Sequence, residues 1–210
     1  MWTKLKAWWA NRDLIEKLAI SLLAGLILFS FVARRVEADH TIRHAVTATV
    51  HKMHNARQTC GAVMIAPERA MTAAHCLGME SPVLTIDGVD YPLTEGYAAT
   101  PRDVAVLIVP GAPCPCAALQ GKAVEAGDWV VVVGYPYNLA QVVTYGEVQA
   151  RIVNPEDGQE YVLATASVAP GNSGGGVFNV NGYLVGITSM SDDRGAMLLF
   201  VEVLTVPYPK

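Results

Sequence analysis

Cysteine is scarce in this chain, with four among 210 residues. That is too few for a fold held mainly by disulfide cross-links. No block of lysine or arginine occurs, and the formal net charge is −4. The electrostatic footprint of a nucleic-acid binder is therefore missing, and no nucleic-acid partner is expected. No internal repeat is visible. Beyond about residue 45 almost nothing follows a helical period. No cysteine or histidine follows Cys116, which leaves a Cys-x-Cys pair, Cys114 and Cys116, without half of a tetrahedral zinc set. What the chain does have is a hydrophobic fraction of 52 %, at the high end for a soluble globular domain.

Part of that excess sits at the N-terminus. Leu18 to Ala33 reads LAISLLAGLILFSFVA, 16 residues without charge or proline. Lysines and tryptophans precede the run (Trp2, Lys4, Lys6, Trp8, Trp9), and Arg34 and Arg35 follow it. Interfacial tryptophans beside lysines are typical of a membrane boundary. A cleaved signal peptide would suit the short run and the small residues at 36–38. Asp13 and Glu16 upstream, and two arginines downstream, favour an uncleaved signal anchor over residues 18–35. A buried core helix would not need that tryptophan-lysine flank. The basic residues place the N-terminus inside. Residues 1–17 are then an interfacial segment and 36–44 a polar connector.

From there on, short apolar or alternating runs recur, among them 45–53, 60–65, 83–86, 104–109, 129–133, 141–149, 161–165, 176–180, 184–189 and 197–203. Asp87-Gly88 and Asn181-Gly182 are hairpin signals, because both residue types adopt positive φ at little cost. Ten or so short strands at this spacing predict antiparallel barrels or a sandwich. A Gly/Pro-rich link at 110–116 divides them into two groups. The expectation is an all-β protein of two antiparallel β-barrels, about 45–110 and 120–206, preceded by one N-terminal transmembrane helix.

Three segments carry chemistry. Thr72-Ala73-Ala74-His75-Cys76 follows a strand-like run, Asp103 opens a second, and Ser173 lies in Pro-Gly-Asn-Ser-Gly-Gly-Gly at 170–176. A serine hydroxyl needs a base within hydrogen-bond reach before it can attack a carbonyl. Neutral imidazole suits that task near pH 7, and a carboxylate on its far nitrogen fixes the tautomer. His75, Asp103 and Ser173 supply these groups in that order.

With TAAHC, DVAVL and GNSGG in this sequence, the chain resembles the chymotrypsin-like (trypsin-fold) serine proteases over about residues 45 to 206. The resemblance implies two six-stranded barrels with the site between them. It implies a His75–Asp103–Ser173 triad, an oxyanion hole from the amides of Gly171 and Ser173, and a disulfide between Cys60 and Cys76 bracing the histidine loop. It also implies a specificity pocket with Ser167 at its floor and Ser189, Met190 and Ser191 along its wall, suited to small or medium apolar side chains. Asp192 and Asp193 are close enough in sequence to alter its rim. No cofactor is implied. Trypsin-like zymogens carry aspartate where this chain has Asn172, which cannot pair with a new N-terminal ammonium. GNSGG is similar to the HtrA-type, bacterial and viral branches, and the site is expected to form without N-terminal processing, with Asn172 held by amide hydrogen bonds. HtrA relatives carry a PDZ module after the protease, and with the chain ending at Lys210 none is expected here.

The expected function is a membrane-anchored serine endopeptidase acting on protein or peptide substrates, its protease domain in the periplasm or outside the cell, where a disulfide persists. Two alternatives stay open: a membrane-anchored binding module on a protease scaffold, and a protease that processes only itself. The state of Cys114 and Cys116 is open between a mutual disulfide, buried thiols and an intermolecular bond.

Overall fold

The computed structural model describes residues 2, 3, 6, 13–99, 102–155, 158–191 and 197–203. Two compact units divide the chain, Met1–Thr41 and Ile42–Lys210. A single helix, α1 (Leu14–Thr49), is 36 residues long and crosses that boundary. In the first unit Leu18, Leu22, Leu26 and Phe29 are exposed. Among the described residues no helix is long and apolar enough to cross a membrane. The expected transmembrane segment at 18–35 is thus not recovered. The uncharged run of 16 residues falls short of the roughly 20 that a bilayer core requires.

The expected connector at 36–44 and the expected strand from 45 are also corrected: both lie in α1, and the first strand starts only at Val50. The reason is local. Val46 is fully buried, Thr47 and Thr49 turn their hydroxyls onto carbonyls three residues back, and Gln141 Nε2 donates to the Thr47 carbonyl at 3.0 Å. Threonine tolerates a helix this way, and Gln141 satisfies a carbonyl that the helix end leaves unpaired.

Among the described residues thirteen strands follow. The first seven are β1 (Val50–His54), β2 (Thr59–Ala66), β3 (Arg69–Thr72), β4 (Val83–Ile86), β5 (Val89–Pro92), β6 (Glu95–Ala98) and β7 (Ala105–Ile108). They form one sheet in the order β5-β4-β1-β2-β3-β7-β6. Its edge strands β5 and β6 are consecutive in sequence, joined by Leu93 and Thr94, so the sheet curls like half a barrel. No ladder closes it, and Pro92 lacks an N–H to donate. The expectation of two six-stranded barrels is corrected here: the first half is an open, seven-stranded sheet.

The second half does close. β8 (Trp129–Gly134), β9 (Val142–Val153), β10 (Glu160–Ala164), β11 (Gly176–Asn179), β12 (Leu184–Ser191) and β13 (Leu198–Glu202) make a barrel in the order β10-β13-β12-β11-β8-β9. The valine run of β8 shows how the halves meet. Val130 and Val132 point into the barrel core with Val162, Val177 and Phe200, while Val131 and Val133 join the core of the first sheet. A strand buried on both faces reads as continuous apolar sequence. Asp87 and Gly88, both at positive φ, make the β4–β5 hairpin that the sequence predicts. Cys114 and Cys116 are bonded to each other in the link between the halves.

Candidate active site

The three chemical segments lie where the sheet and the barrel face each other. His75 sits on a single turn of 3-10 helix, Ala74–Gly78, directly after β3. Cys76 on the same turn is bonded to Cys60 at the start of β2, with Cα atoms 6.5 Å apart, so the histidine is pinned to the sheet. Asp103 lies two residues before β7 begins at Ala105. The Ser173 loop precedes β11 in the other half.

Two glycines let these halves touch. Gly61 N donates to the Ser173 carbonyl at 2.7 Å, and a Cβ on Gly61 would stand 2.7 Å from Gly175 Cα. Gly174, at φ +79°, packs where a Cβ would collide with the Gly61 carbonyl and the Thr72 hydroxyl. Any side chain at either position would push the serine loop off the histidine sheet.

Asp103 accepts from three donors. His75 N donates to Oδ1 at 2.9 Å, His75 Nδ1 lies 2.8 Å from Oδ2, and the Ser189 hydroxyl also donates to Oδ2. Its own amide donates to Gln159 Oε1 at 2.8 Å. Burial raises the Asp103 pKa, but these hydrogen bonds outweigh it, and the net shift is down. The hydrogen bond that His75 donates to Asp103 raises the His75 pKa above its ordinary 6.5, against an opposing effect of burial. With Nδ1 donating to the carboxylate, neutral His75 keeps Nε2 free as a base. Ser173 Oγ donates to the Ser189 carbonyl at 3.2 Å, and no hydrogen bond joins it to His75 among the described residues. Both residues border the same two cavities, of about 440 and 370 Å³.

The glycine loop shows a selective pattern of amides. Asn172 N donates to the Ala169 carbonyl, Gly174 N to that of Thr188 and Gly175 N to that of Asn172. The amides of Gly171 and Ser173 have no acceptor among the described residues. One contact explains the first. Tyr137 N donates to the Pro170 carbonyl at 2.7 Å. A trans peptide carries its C=O and N–H on opposite sides, so fixing the Pro170 oxygen aims the Gly171 N–H the other way. Gly171 takes φ +99°, and a Cβ there would meet the Tyr135 carbonyl. Tyr137 and Asn138 themselves hold positive φ, tied down by Thr59 Oγ1 to Asn138 Oδ1 at 2.9 Å.

A match to the trypsin-like peptidase domain family covers residues 60–187, more than half the chain. The chain belongs to this family. Among curated relatives, a probable periplasmic serine endoprotease DegP-like from Pseudomonas fluorescens is 38 % identical over 103 residues, 48 % of this chain and 22 % of the relative. Serine endoprotease DegS of Escherichia coli is 44 % identical over 71 residues, 32 % of this chain and 20 % of the relative. The matched stretches thus span about a fifth of these relatives' lengths. Among solved structures, the active form of the Rv3671c protease from M. tuberculosis superposes with TM-score 0.70 at 21 % identity, over 80 % of this chain and 86 % of the other. The HtrA-type protease AlgW with a tripeptide gives TM-score 0.69 at 22 % identity, over 79 % and 60 %. At those identities the superpositions show the fold. It is an all-β chymotrypsin-like fold, and the relatives are of the HtrA/DegP/DegS kind.

The two cavities take in some of the expected specificity residues and not others. Ser167 is not part of the lining of either cavity beside Ser173. It is exposed between buried Ala166 and Val168, turned outward by the alternation of an extended segment, and its carbonyl accepts from the Thr144 hydroxyl. Met190 and Ser189 do line the 370 Å³ cavity, with Val168, Ala169, Pro170 and Thr188. Ser191 is the last residue of β12 and is not part of that lining; Asp192 and Asp193 lie outside the described residues. Asn172 is buried, but its Oδ1 accepts no hydrogen bond, so the expected amide bonding to that oxygen is not found. Its backbone holds it instead. The cysteine–histidine group Cys60, His75 and Cys76 offers no metal site, since both sulfurs are spent on the disulfide. Gln159 and Tyr137 were missed by sequence reasoning; one acts through a side chain in a hairpin, the other through its backbone amide, and neither leaves a motif.

Proposed function

We propose that this chain is a serine endopeptidase in which Ser173 attacks the peptide carbonyl, His75 takes the proton and returns it to the leaving amine, and Asp103 orients His75. The amides of Gly171 and Ser173 hold the oxyanion. The observation that carries this reading is the pair of amides, Gly171 and Ser173, without an acceptor among the described residues, beside an imidazole held by a carboxylate. Donors preset for developing charge need no rearrangement at the moment of reaction. The Ser173 hydroxyl must swing from the Ser189 carbonyl to His75 Nε2, a side-chain rotation. The cavity lined by Val168, Ala169 and Met190 carries no charge of its own, which fits small or medium apolar side chains at the cleaved position. Asn172 needs no ammonium partner, because burying a neutral amide is far cheaper than burying a carboxylate. The site therefore forms without N-terminal cleavage.

The Cys60–Cys76 bond and the periplasmic relatives support a periplasmic or extracellular location. The exposed leucines of α1 support attachment to lipid; full release of the full-length chain by alkaline carbonate would contradict it. The bond from Ser173 to Ser189 favours one second reading, a protease scaffold that binds without cutting. A fluorophosphonate probe on the full-length chain separates the two. An active site labels and hydrolyses peptides, and Ser173→Ala lowers kcat on the order of 10⁴-fold or more. Absence of labelling under conditions where the chain is folded would favour the binding scaffold. Mass analysis of wild type against Ser173→Ala shows whether any cut is made in the chain itself.

A further inference from the structure

The two cavities that meet at Ser173 and His75 differ in charge. The smaller has no charged side chain in its wall apart from His75. The larger, about 440 Å³, is walled by the Asn55–Thr59 turn, the Cys60–Cys76 bridge, Tyr137, Asn138 and Gly171. Its wall holds one permanent cation, Arg57, and no carboxylate.

Arg57 is presented by a stiff turn. Asn55 Oδ1 accepts from the Arg57 amide at 2.9 Å and from the Gln58 amide at 2.8 Å, and Asn55 N donates to the Gln58 carbonyl at 3.1 Å. Asn55 Nδ2 donates to the Glu80 carbonyl at 3.0 Å, tying the turn to the segment after His75. An Asx turn fixed at both ends loses little freedom when a ligand binds its side chains. Among the described residues no carboxylate pairs with the Arg57 guanidinium. Glu80 offers the turn only its carbonyl, and Asp103 is engaged by His75 and Ser189. Lys52 Nζ, 3.3 Å from the Asn138 carbonyl, adds a second positive charge near the same rim.

The endopeptidase reading puts the acyl half of a peptide at Ser173 along β12, in the uncharged cavity by Ser189 and Met190. Its leaving half then crosses the larger cleft, over Arg57. We propose that Arg57 is a specificity-determining residue for the leaving half, selecting a carboxylate side chain, Glu or Asp, at the first or second position after the cut. The inference rests on the endopeptidase reading and assigns its charge selectivity to the side of the scissile bond opposite the uncharged pocket.

The test uses the full-length chain and three fluorogenic peptides with identical acyl halves, carrying Glu, Gln or Lys at those two positions in turn. The readout is the ratio of kcat/KM for Glu over Lys within each variant, so a change in the folded fraction cancels. Wild type is expected to favour Glu by about fivefold, the size that an exposed ion pair supports. The ratio should fall to near one in Arg57→Gln, invert in Arg57→Glu, and shrink in wild type as salt rises to about 0.5 M. A ratio that is the same in wild type and Arg57→Glu overturns the proposal while leaving the active site intact. Absence of any Ser173-dependent hydrolysis overturns both.

Discussion

Replacing Gly171 by alanine tests whether the loop amide, and not merely the triad, drives the reaction. At φ +99° a side chain is strained by about 1–3 kcal/mol, and the new Cβ would press on the Tyr135 carbonyl and lie 3.2 Å from the Tyr137 amide. Tyr137 and Tyr135 cannot give without breaking the Tyr137-to-Pro170 hydrogen bond of 2.7 Å that aims the Gly171 N–H. Once that bond opens, the amide turns from the oxyanion. Loss of one such donor raises the barrier by about 3 kcal/mol, or roughly 10²-fold in kcat. KM should change little, since the negative oxygen exists only in the transition state. The strain also lowers Tm, by about 3–10 °C at roughly 2–4 °C per kcal/mol for a chain of this size. Gly182→Ala is the control. It imposes a similar φ, +82°, but its Cβ would meet Ile42 and Val46 at an ordinary 3.6 and 3.7 Å, far along the chain from the catalytic loop. It should lower Tm without lowering kcat. Steady-state kinetics on a fluorogenic peptide and the rate of fluorophosphonate labelling read both variants. If Gly171→Ala kept kcat within about threefold of wild type while losing the expected Tm, the oxyanion assignment would be wrong.

Three further outcomes follow from the same geometry. Asp103 holds the His75 pKa above 6.5, so kcat/KM should rise with pH through a midpoint above that value, and Asp103→Asn should move the midpoint down and lower kcat by roughly 10⁴-fold; a wild-type midpoint at or below 6.5 would contradict the pairing. In stability, the raised His75 contribution is complete below its unfolded value and fades as pH rises through its folded one, whereas the lowered Asp103 contribution is lost as pH falls through its folded value. Cys60 and Cys76 are 16 positions apart, and opening a loop of that length should remove about 3 kcal/mol, or roughly 6–12 °C of Tm. The Cys60→Ser/Cys76→Ser variant read by thermal melting checks this, and an unchanged Tm would show that the bond constrains little.

The candidate residues His75, Asp103 and Ser173 stood out in the sequence because acyl transfer calls for their types, an imidazole, a carboxylate and a hydroxyl, each after or before a recognisable strand. The barrel strands were visible for a related reason, since β8 and β11 are buried and their apolar runs stand out. β5 and β6 were not, because Val89-Asp90-Tyr91-Pro92 and Glu95-Gly96-Tyr97-Ala98 are mostly exposed edge strands with no alternating pattern to read. Residues 45–49 misled for the opposite reason: valine and threonine favour a strand locally, but burial of Val46 and the hydrogen bond from Gln141 to Thr47 extend the helix. The offset of Ser167 from Ser173 gives distance along the chain and says nothing of which way an extended residue faces.

The contacts that position the chemistry divide along the same physical line. A close approach of two backbones excludes a Cβ, so it leaves a glycine in the sequence, and Gly61, Gly171 and Gly174 could be read as such. A hydrogen bond from a backbone amide leaves nothing, because every residue but proline has one. The bond from Tyr137 to Pro170 is of this second kind, yet it decides where the Gly171 amide points. Its partner Pro170 donates nothing itself, which leaves its carbonyl as the only hydrogen-bonding group on that residue, and the two positive-φ residues at 137 and 138 show what the chain accepts to reach it. Roughly 1–3 kcal/mol of local strain at each of those residues is tolerable only while the Asn138 contacts to Thr59 and Lys52 hold. The orientation of the Gly171 amide in the barrel loop therefore depends on side chains of the sheet, through groups that no motif records.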